Sequence, residues 1–183
     1  DDGFTMTILH TNDTHSNHEP QSDGHGGVAR LQTVVDQIRA GTENTIFVDA
    51  GDRFTGTLFH TQYRGAEQID IMNALGYDAL VIGNHEFDDG ESTLAAFLEG
   101  VEFPVVSANV DYSAFSDIDA IIESSTVVDV NGEQVGVVGL TTPDSAVTSS
   151  PDDAIAFDSE LVAVAQAEID ALQADGVNKI ILL

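Results

Sequence analysis

Residues 79–88 read A-L-V-I-G-N-H-E-F-D, a short apolar run followed at once by a group of polar residues. The apolar run predicts a buried strand. The same order recurs at 5–15, T-M-T-I-L-H-T-N-D-T-H, and at 44–52, N-T-I-F-V-D-A-G-D. Stretches with helical spacing of apolar residues separate these segments, as at 26–39 and 65–75. Alternation of strand and helix predicts an α/β fold, with a mixed sheet or two sheets packed between helices.

The polar groups after the three strands contain residues that bind metal ions. Asp13 and His15 are two positions apart, so extended backbone would place both side chains on one face to bind a single cation. Asp52 follows the second strand and Asn84 the third. Since parallel strands end at one crevice, we expect these side chains to lie close together. Imidazole and oxygen ligands without sulfur favour Mn²⁺, Zn²⁺, Co²⁺ or Fe, and two such ions can hold a phosphoryl group and activate water.

His85 has a neighbour that could give it a different role from metal binding. Asp88 lies three residues later and could orient the imidazole ring. A cationic His85 would then stabilise negative charge on phosphoryl oxygens or on a leaving group. The pair is therefore interpreted as catalytic. The other histidines in this region, His18, His25 and His60, are predicted to be surface or loop residues.

The charge of the chain excludes several kinds of partner. Thirty-two acidic residues accompany only five basic ones, giving a net charge of −27 over 183 residues. A basic surface for nucleic-acid polymers or anionic membranes is excluded, and no apolar run has the length of a membrane span. Cysteine is absent, which excludes thiolate metal sites. Scarce lysine and scattered acidic residues favour adaptation to a salt-rich environment, the alternative being an ordinary acidic secreted protein.

The rest of the chain shows further helix, strand and turn signals. Asn131-Gly132 predicts a hairpin. The segments 111–119 and 141–153 are predicted to be solvated loops. Arg53 and Arg64 could contact phosphate or pair with local carboxylates. Because the chain stops within an apolar strand, we expect it to be the N-terminal part of a longer protein, unless that strand is an edge. The remaining predicted elements are helices at 92–98 and 158–174 and strands at 103–107, 125–130, 134–140 and 178–183.

Six motifs together resemble the calcineurin-like metallophosphoesterases, specifically the secreted 5′-nucleotidase branch. They occur in the order found in that family and extend over nearly the whole chain. The motifs are I-L-H-T-N-D-T-H at 8–15, G-G-V-A-R-L at 26–31, D-A-G-D-R-F-T-G-T at 49–57, G-N-H-E-F-D at 83–88, S-A-N-V at 107–110 and V-G-V-V-G-L-T-T at 135–142.

The resemblance implies a four-layer α/β/β/α sandwich and a role for each candidate residue. Asp13 and His15 would bind the first metal, Asp52 would bridge both metals, and Asn84 would bind the second. His85 with Asp88 would form the catalytic pair. The implied substrate is a nucleotide or another phosphoester, and the implied location is extracellular or at the cell surface.

The resemblance also implies parts that these 183 residues do not include. Family members supply further metal ligands, including histidines, beyond the last predicted strand, and a separate C-terminal domain holds the nucleoside. We therefore expect residues 1–183 to be a partial N-terminal metallophosphatase domain with reduced or no activity alone. The alternatives are a related hydrolase of cyclic nucleotides, sugar nucleotides or sulfur esters, and a non-catalytic metal-binding acidic domain.

Overall fold

The structure, a computed structural model, describes residues 3–183. Within that range, no helix combines the length and the apolar character that a membrane crossing requires. The elements in chain order are β1 (Thr7–Thr11), α1 (Val28–Gly41), β2 (Thr45–Asp49), α2 (Leu58–Tyr63), α3 (Ala66–Leu75), β3 (Ala79–Val81), a 3₁₀ turn (His85–Phe87), α4 (Glu91–Gly100), β4 (Val105–Val106), β5 (Val110–Asp111), α5 (Ser116–Asp119), β6 (Ser125–Val130), β7 (Glu133–Val138), α6 (Ser145–Thr148), β8 (Ala156–Phe157), α7 (Leu161–Ala174) and β9 (Lys179–Leu182).

Two sheets form the centre of the molecule, as the alternation of elements predicted. The first contains four strands in the order β1-β2-β3-β4, and every neighbouring pair is parallel. The second contains β6, β7 and β9, with β6 antiparallel and β9 parallel to β7. Strands β5 and β8 form a separate antiparallel pair. The parallel register of β1, β2 and β3 brings the loops that follow them to one edge.

Alternate residues along β2 enter different hydrophobic cores, which shows that this sheet is covered on both faces. Ile46 and Val48 pack against the second sheet, in a cluster with Val135 and Val137 of β7. Phe47, between them, packs on the opposite face in the cluster that holds residues of α3 and α4. The far side of the second sheet contacts α7 through a third cluster. The layers are therefore helices, sheet, sheet and helix, which confirms the predicted four-layer sandwich.

The hairpin between β6 and β7 also agrees with the sequence prediction. Asn131 and Gly132 both have positive φ, 54° and 90°. Those angles suit a two-residue turn whose twist matches that of the strands it joins.

Several local predictions were wrong. Helix α4 extends beyond the predicted 92–98, running from Glu91 to Gly100, and its N-cap is Gly90. The segment 111–119 contains α5, in which Ile118 is fully buried. The segment 141–153 contains α6, and Thr141 at its start is buried. These helices are only four residues long, so neither repeats an apolar position often enough to give a periodic signal.

Candidate metal centre

The loops after β1 and β2 are joined by main-chain hydrogen bonds beyond the ends of the strands. The amides of Asp13, His15 and Ser16 donate to the carbonyls of Gly51, Asp52 and Arg53 at 3.0, 3.1 and 3.0 Å. This ladder places the Asp13–Ser16 segment directly alongside Asp52. The two loops therefore meet as the strand ends predicted, but the backbone at Asp13 and His15 is left-handed, with φ of 50° and 47°, and not extended as expected.

The same two loops hold an unusual number of residues in left-handed backbone conformations. Asp13, His15, Ser16, Asp52 and Thr55 have φ between 47° and 65°. Each such non-glycine residue costs on the order of 1–3 kcal/mol and persists only where its surroundings hold it. Clustering of these conformations at one place is typical of a functional site.

A buried carboxylate, Glu86, supplies much of that support. Its Oε2 accepts hydrogen bonds from the amides of Asp52 at 3.0 Å and Gly83 at 2.8 Å. Its Oε1 accepts from Arg53 at 2.6 Å and Phe54 at 3.3 Å. Burial and the nearby charge of Asp52 raise the pKa of Glu86, while these N–H groups oppose the rise. Glu86 thus joins the loop after β3 to the loop after β2.

Gly51 and Gly83 allow the same two loops to approach each other closely. A Cβ atom on Gly83 would lie 2.6 Å from the backbone nitrogen of Asp52, and one on Gly51 would lie 2.7 Å from the Cα of Gly83. Gly51 also has a φ of 88°. The position of Asp52 therefore depends on two glycines that leave no room for a side chain.

His15, Asp52 and His85 bring potential ligand atoms within 4.8 Å of one another, and no other such group of metal-ligating side chains occurs in residues 3–183. Nδ1 of His15 lies 3.1 Å from the carbonyl oxygen of Phe54, so it can donate there and leave Nε2 free to accept a metal. Oδ1 of Asp52 accepts from the amide of His85 at 2.9 Å, which leaves Oδ2 available. This donor set fits a divalent metal that takes nitrogen and oxygen ligands.

The other two predicted ligands lie next to this group. Asp13 is well exposed, with Oδ1 3.8 Å from Nε2 of His15 and Oδ2 accepting from the side chain of Asn12. Asn84 lies between Gly83 and the 3₁₀ turn that begins at His85. Their assignment as metal ligands stays a prediction.

His85 and Asp88 form the pair that the sequence predicted. Nδ1 of His85 lies 2.6 Å from Oδ2 of Asp88, across one 3₁₀ turn. Burial lowers the pKa of His85, but the hydrogen bond and charge of Asp88, with Asp52 and Glu86, outweigh it and raise the pKa above its usual value. The rings of His15 and His85 meet edge to face, with centroids 5.0 Å apart. His85 is thus a partly buried imidazole with a raised pKa beside the candidate ligands.

Two predictions about other histidines need correction. His60 is buried in α2, because its ring packs against Phe54 and its Nε2 lies 2.5 Å from Oδ2 of Asp89. His18 lies in a loop as predicted, but its side chain is mostly covered, 3.8 Å from Glu67. His25 is exposed, as expected, and lies 3.2 Å from Asp23.

The two arginines of this region pair with carboxylates. Arg53 is buried, lies 3.0 Å from Asp49 and donates to the hydroxyl of Thr14 at 2.9 Å. Arg64 pairs with Asp89. Of the two roles left open for these arginines, local pairing is the one that the structure shows.

Sequence reasoning missed Glu86 and one further residue at the site, Ser149. The Ser149 hydroxyl donates to Oδ1 of Asp88. No local pattern could identify this contact, because the two residues are 61 positions apart.

Comparison with known proteins agrees with the geometry of the site. The profile of the calcineurin-like phosphoesterases matches residues 6–177. The chain belongs to the calcineurin-like phosphoesterase family. The 5′-nucleotidase of Mus musculus is 44% identical to it, and the snake venom 5′-nucleotidase of Naja atra is 41% identical, each alignment covering 98% of this chain.

Solved structures show the same fold. The crystal structure of the 5′-nucleotidase precursor from Thermus thermophilus superposes with a TM-score of 0.93, at 45% identity over 98% of this chain and 36% of the other. The chain spans about a third of the length of the curated relatives, 33% and 36% for the mouse and venom proteins.

Proposed function

We propose that this chain forms the metal-binding part of a phosphoester hydrolase that acts on nucleotides in the manner of a 5′-nucleotidase. The observation that carries the proposal is the convergence of His15, Asp52 and His85 within 4.8 Å at the edge of the parallel sheet. The family membership and the 5′-nucleotidase relatives support the choice of phosphoesters and, within them, nucleotides.

Two divalent ions of the Mn, Zn, Co or Fe type are the proposed cofactors. Asp13 and His15 would hold one ion, Asn84 the other, and Asp52 would contact both. When bound, such ions supply positive charge that polarises a phosphoryl group toward attack by water. Bound ions would add positive charge at the site and so offset locally the repulsion between the acidic chain and an anionic substrate.

The proposed contribution of His85 follows from its two ring nitrogens. Nδ1 is engaged by Asp88, so Nε2 is free to face a substrate. The hydrogen bond to Asp88 raises the pKa of the ring and so favours its protonated form, which can donate to phosphoryl oxygens or to the departing alkoxide. Asp88 keeps the ring oriented and stabilises its positive charge. We therefore propose separate roles for His85 and for the metal ligands, although His85 also belongs to the group of potential ligand atoms.

An extracellular or cell-surface location is proposed as well. It is supported by the likeness to a protein named for its occurrence in venom. Residues 1–183 are proposed to be an N-terminal metallophosphatase domain whose partner domain binds the nucleoside, which agrees with the share of each relative that the chain spans.

The test compares His85→Ala with Asn84→Ala in the full-length protein that carries this chain. On a nucleoside 5′-monophosphate, His85→Ala should lower kcat by about 10²–10⁴-fold, the usual value of acid–base or charge stabilisation, with metal content unchanged. Asn84→Ala should lose metal first and activity as a consequence. Elemental analysis of each purified variant separates the two outcomes.

His25→Ala is the matched control, because this histidine is exposed and outside the site. It should leave kcat and metal content unchanged. Loss of a metal ion in His85→Ala would make His85 a ligand and contradict its assigned role. Absence of any metal-dependent hydrolysis of phosphoesters by the unaltered full-length protein would overturn the proposed function.

A further inference from the structure

The carboxylate of Asp88 is held from two sides. Oδ2 accepts from Nδ1 of His85 at 2.6 Å, and Oδ1 accepts from the hydroxyl of Ser149. A carboxylate with a single hydrogen-bond donor can still rotate about its Cβ–Cγ bond. A second donor on the other oxygen opposes that rotation, so the plane of Asp88 is defined by His85 and Ser149 together.

The segment that carries Ser149 is fastened at both ends to the elements around the site. At its start, the hydroxyl of Thr141 donates to the carbonyl of Ile82 at 2.7 Å, one residue before Gly83. Asn109 also bonds both the amide and the carbonyl of Thr141, each at 2.8 Å. This end of the segment is therefore bonded to the end of β3, immediately before the loop that contains His85.

The other end of the segment is bonded to α4. The amide of Asp152 donates to the side chain of Glu91, in the first turn of that helix, at 2.7 Å. Between the two attachments, Ser149 caps α6, and its amide donates to the carbonyl of Ser145 at 3.2 Å. Ser149 is thus held in place against Asp88 by contacts that do not involve Asp88.

We propose that Ser149 is a positioning residue for the reaction: its hydroxyl fixes the carboxylate of Asp88, which in turn fixes the ring of His85. This inference rests on the proposed function in one respect, since it uses the assigned role of His85. Outer hydrogen-bond partners of metal-binding histidines typically contribute about 10–100-fold to affinity or activity, and we expect an effect of that order for the partner of Asp88.

The first test measures the hydrogen bond itself and needs neither metal nor turnover. In the metal-free 183-residue chain, the Nδ1–H proton of His85 should give a downfield NMR signal, because the bond to Asp88 protects it from exchange with water. Ser149→Ala should broaden that signal. The backbone at Ser149 is extended, which suits a β-branched residue. Ser149→Thr therefore keeps the hydroxyl in place, and this variant should retain the signal.

Ser150→Ala is the control for this experiment, because Ser150 is the exposed neighbour on the same segment. It should leave the signal unchanged. Retention of a sharp signal in Ser149→Ala would overturn the proposal, as would its loss in both Ser149→Ala and Ser149→Thr. A circular dichroism spectrum of each variant verifies that the chain is folded.

The second test is a double-mutant cycle with Asp88→Asn in the full-length protein. Ser149→Ala should lower kcat about 10-fold, with KM and metal content unchanged, and Ser149→Thr should restore it. In the Asp88→Asn background, Ser149→Ala should have no further effect. An equal loss in both backgrounds would show that Ser149 acts independently of Asp88 and overturn the proposal.

Together, the two tests distinguish an error in the role of Ser149 from an error in the proposed role of the His85–Asp88 pair. If Asp88→Asn leaves turnover unchanged, the catalytic role of the His85–Asp88 pair is wrong, whereas the NMR result still decides whether Ser149 orders Asp88. If Asp88→Asn lowers turnover and Ser149→Ala does not, only the role of Ser149 is wrong.

Discussion

At the scale of single residues, the candidate site depends on a charged group that binds neither metal nor substrate in the proposed mechanism. Glu86 is fully buried and accepts four main-chain N–H groups from two loops. A buried carboxylate is stable only with such partners. Its sequence neighbours His85 and Asp88 could be identified by residue type and spacing. Glu86 could not, because an acidic residue in a loop is ordinarily expected at the surface.

We expect Glu86→Gln to lower the free energy of unfolding by about 2–3 kcal/mol. In this variant an NH₂ group replaces one carboxylate oxygen, so the two backbone N–H groups that donated to that oxygen lose their hydrogen bonds. Equilibrium denaturation with urea measures the change. Glu99→Gln is the control, an exposed position in the last turn of α4. If the two variants have the same midpoint, the four hydrogen bonds do not stabilise the site.

At the scale of elements, apolar runs and hydrophobic periodicity predicted most of the principal strands and helices, but not α2. Strands β1 to β3 contain apolar runs followed by polar residues, helices α1, α3 and α7 have a repeated apolar spacing, and each was predicted within a few residues. The strands β5 and β8 have two residues each, so no alternation could reveal them. Strand order then explains the site, because parallel neighbours end at one edge.

The segment 141–153 shows where prediction by element was insufficient. Its composition of Ser, Asp and Pro is that of a surface loop, yet Thr141 is buried and Ser149 contacts Asp88. These contacts join residues distant in sequence, and nothing in the local pattern records them. The residues that follow β1, β2 and β3 could be predicted to meet, whereas the residue that supports Asp88 could not.

Gly83→Ala tests the close approach of the loops after β2 and β3. The added methyl group would lie 2.6 Å from the backbone nitrogen of Asp52, so Asp52 must move. We expect the affinity for Mn²⁺ to fall by about 10-fold or more, as measured by titration calorimetry.

The control for this change is Gly41→Ala at the end of α1, where a Cβ would meet nothing within 4 Å. That variant should bind Mn²⁺ like the unaltered chain. Equal affinity in Gly83→Ala would show that the position of Asp52 does not depend on this contact.

At the scale of the whole molecule, the net charge of −27 opposes the compact state. Few internal ion pairs offset it, because the chain has only five basic residues. Two of these, Arg53 and Arg64, already pair with Asp49 and Asp89 beside the site. Most acidic side chains therefore interact mainly with one another and with solvent ions, whose concentration should govern stability.

Salt should accordingly raise the thermal midpoint of this chain. Between about 0.01 M and 1 M NaCl the Debye length falls from about 30 Å to about 3 Å, which removes most repulsion between separated surface charges. For a domain of this size, 1 kcal/mol corresponds to about 2–4 °C in Tm, so relief of a few kcal/mol predicts a rise of roughly 5–10 °C. Differential scanning calorimetry across this range measures the rise. A variant with Glu19→Gln, Glu99→Gln, Asp153→Asn and Asp175→Asn removes four exposed charges, so its Tm should depend less on salt. Any specific effect of NaCl is common to both proteins and cancels in the comparison. A flat Tm, or an identical slope in both proteins, would show that charge repulsion does not limit the stability of the fold.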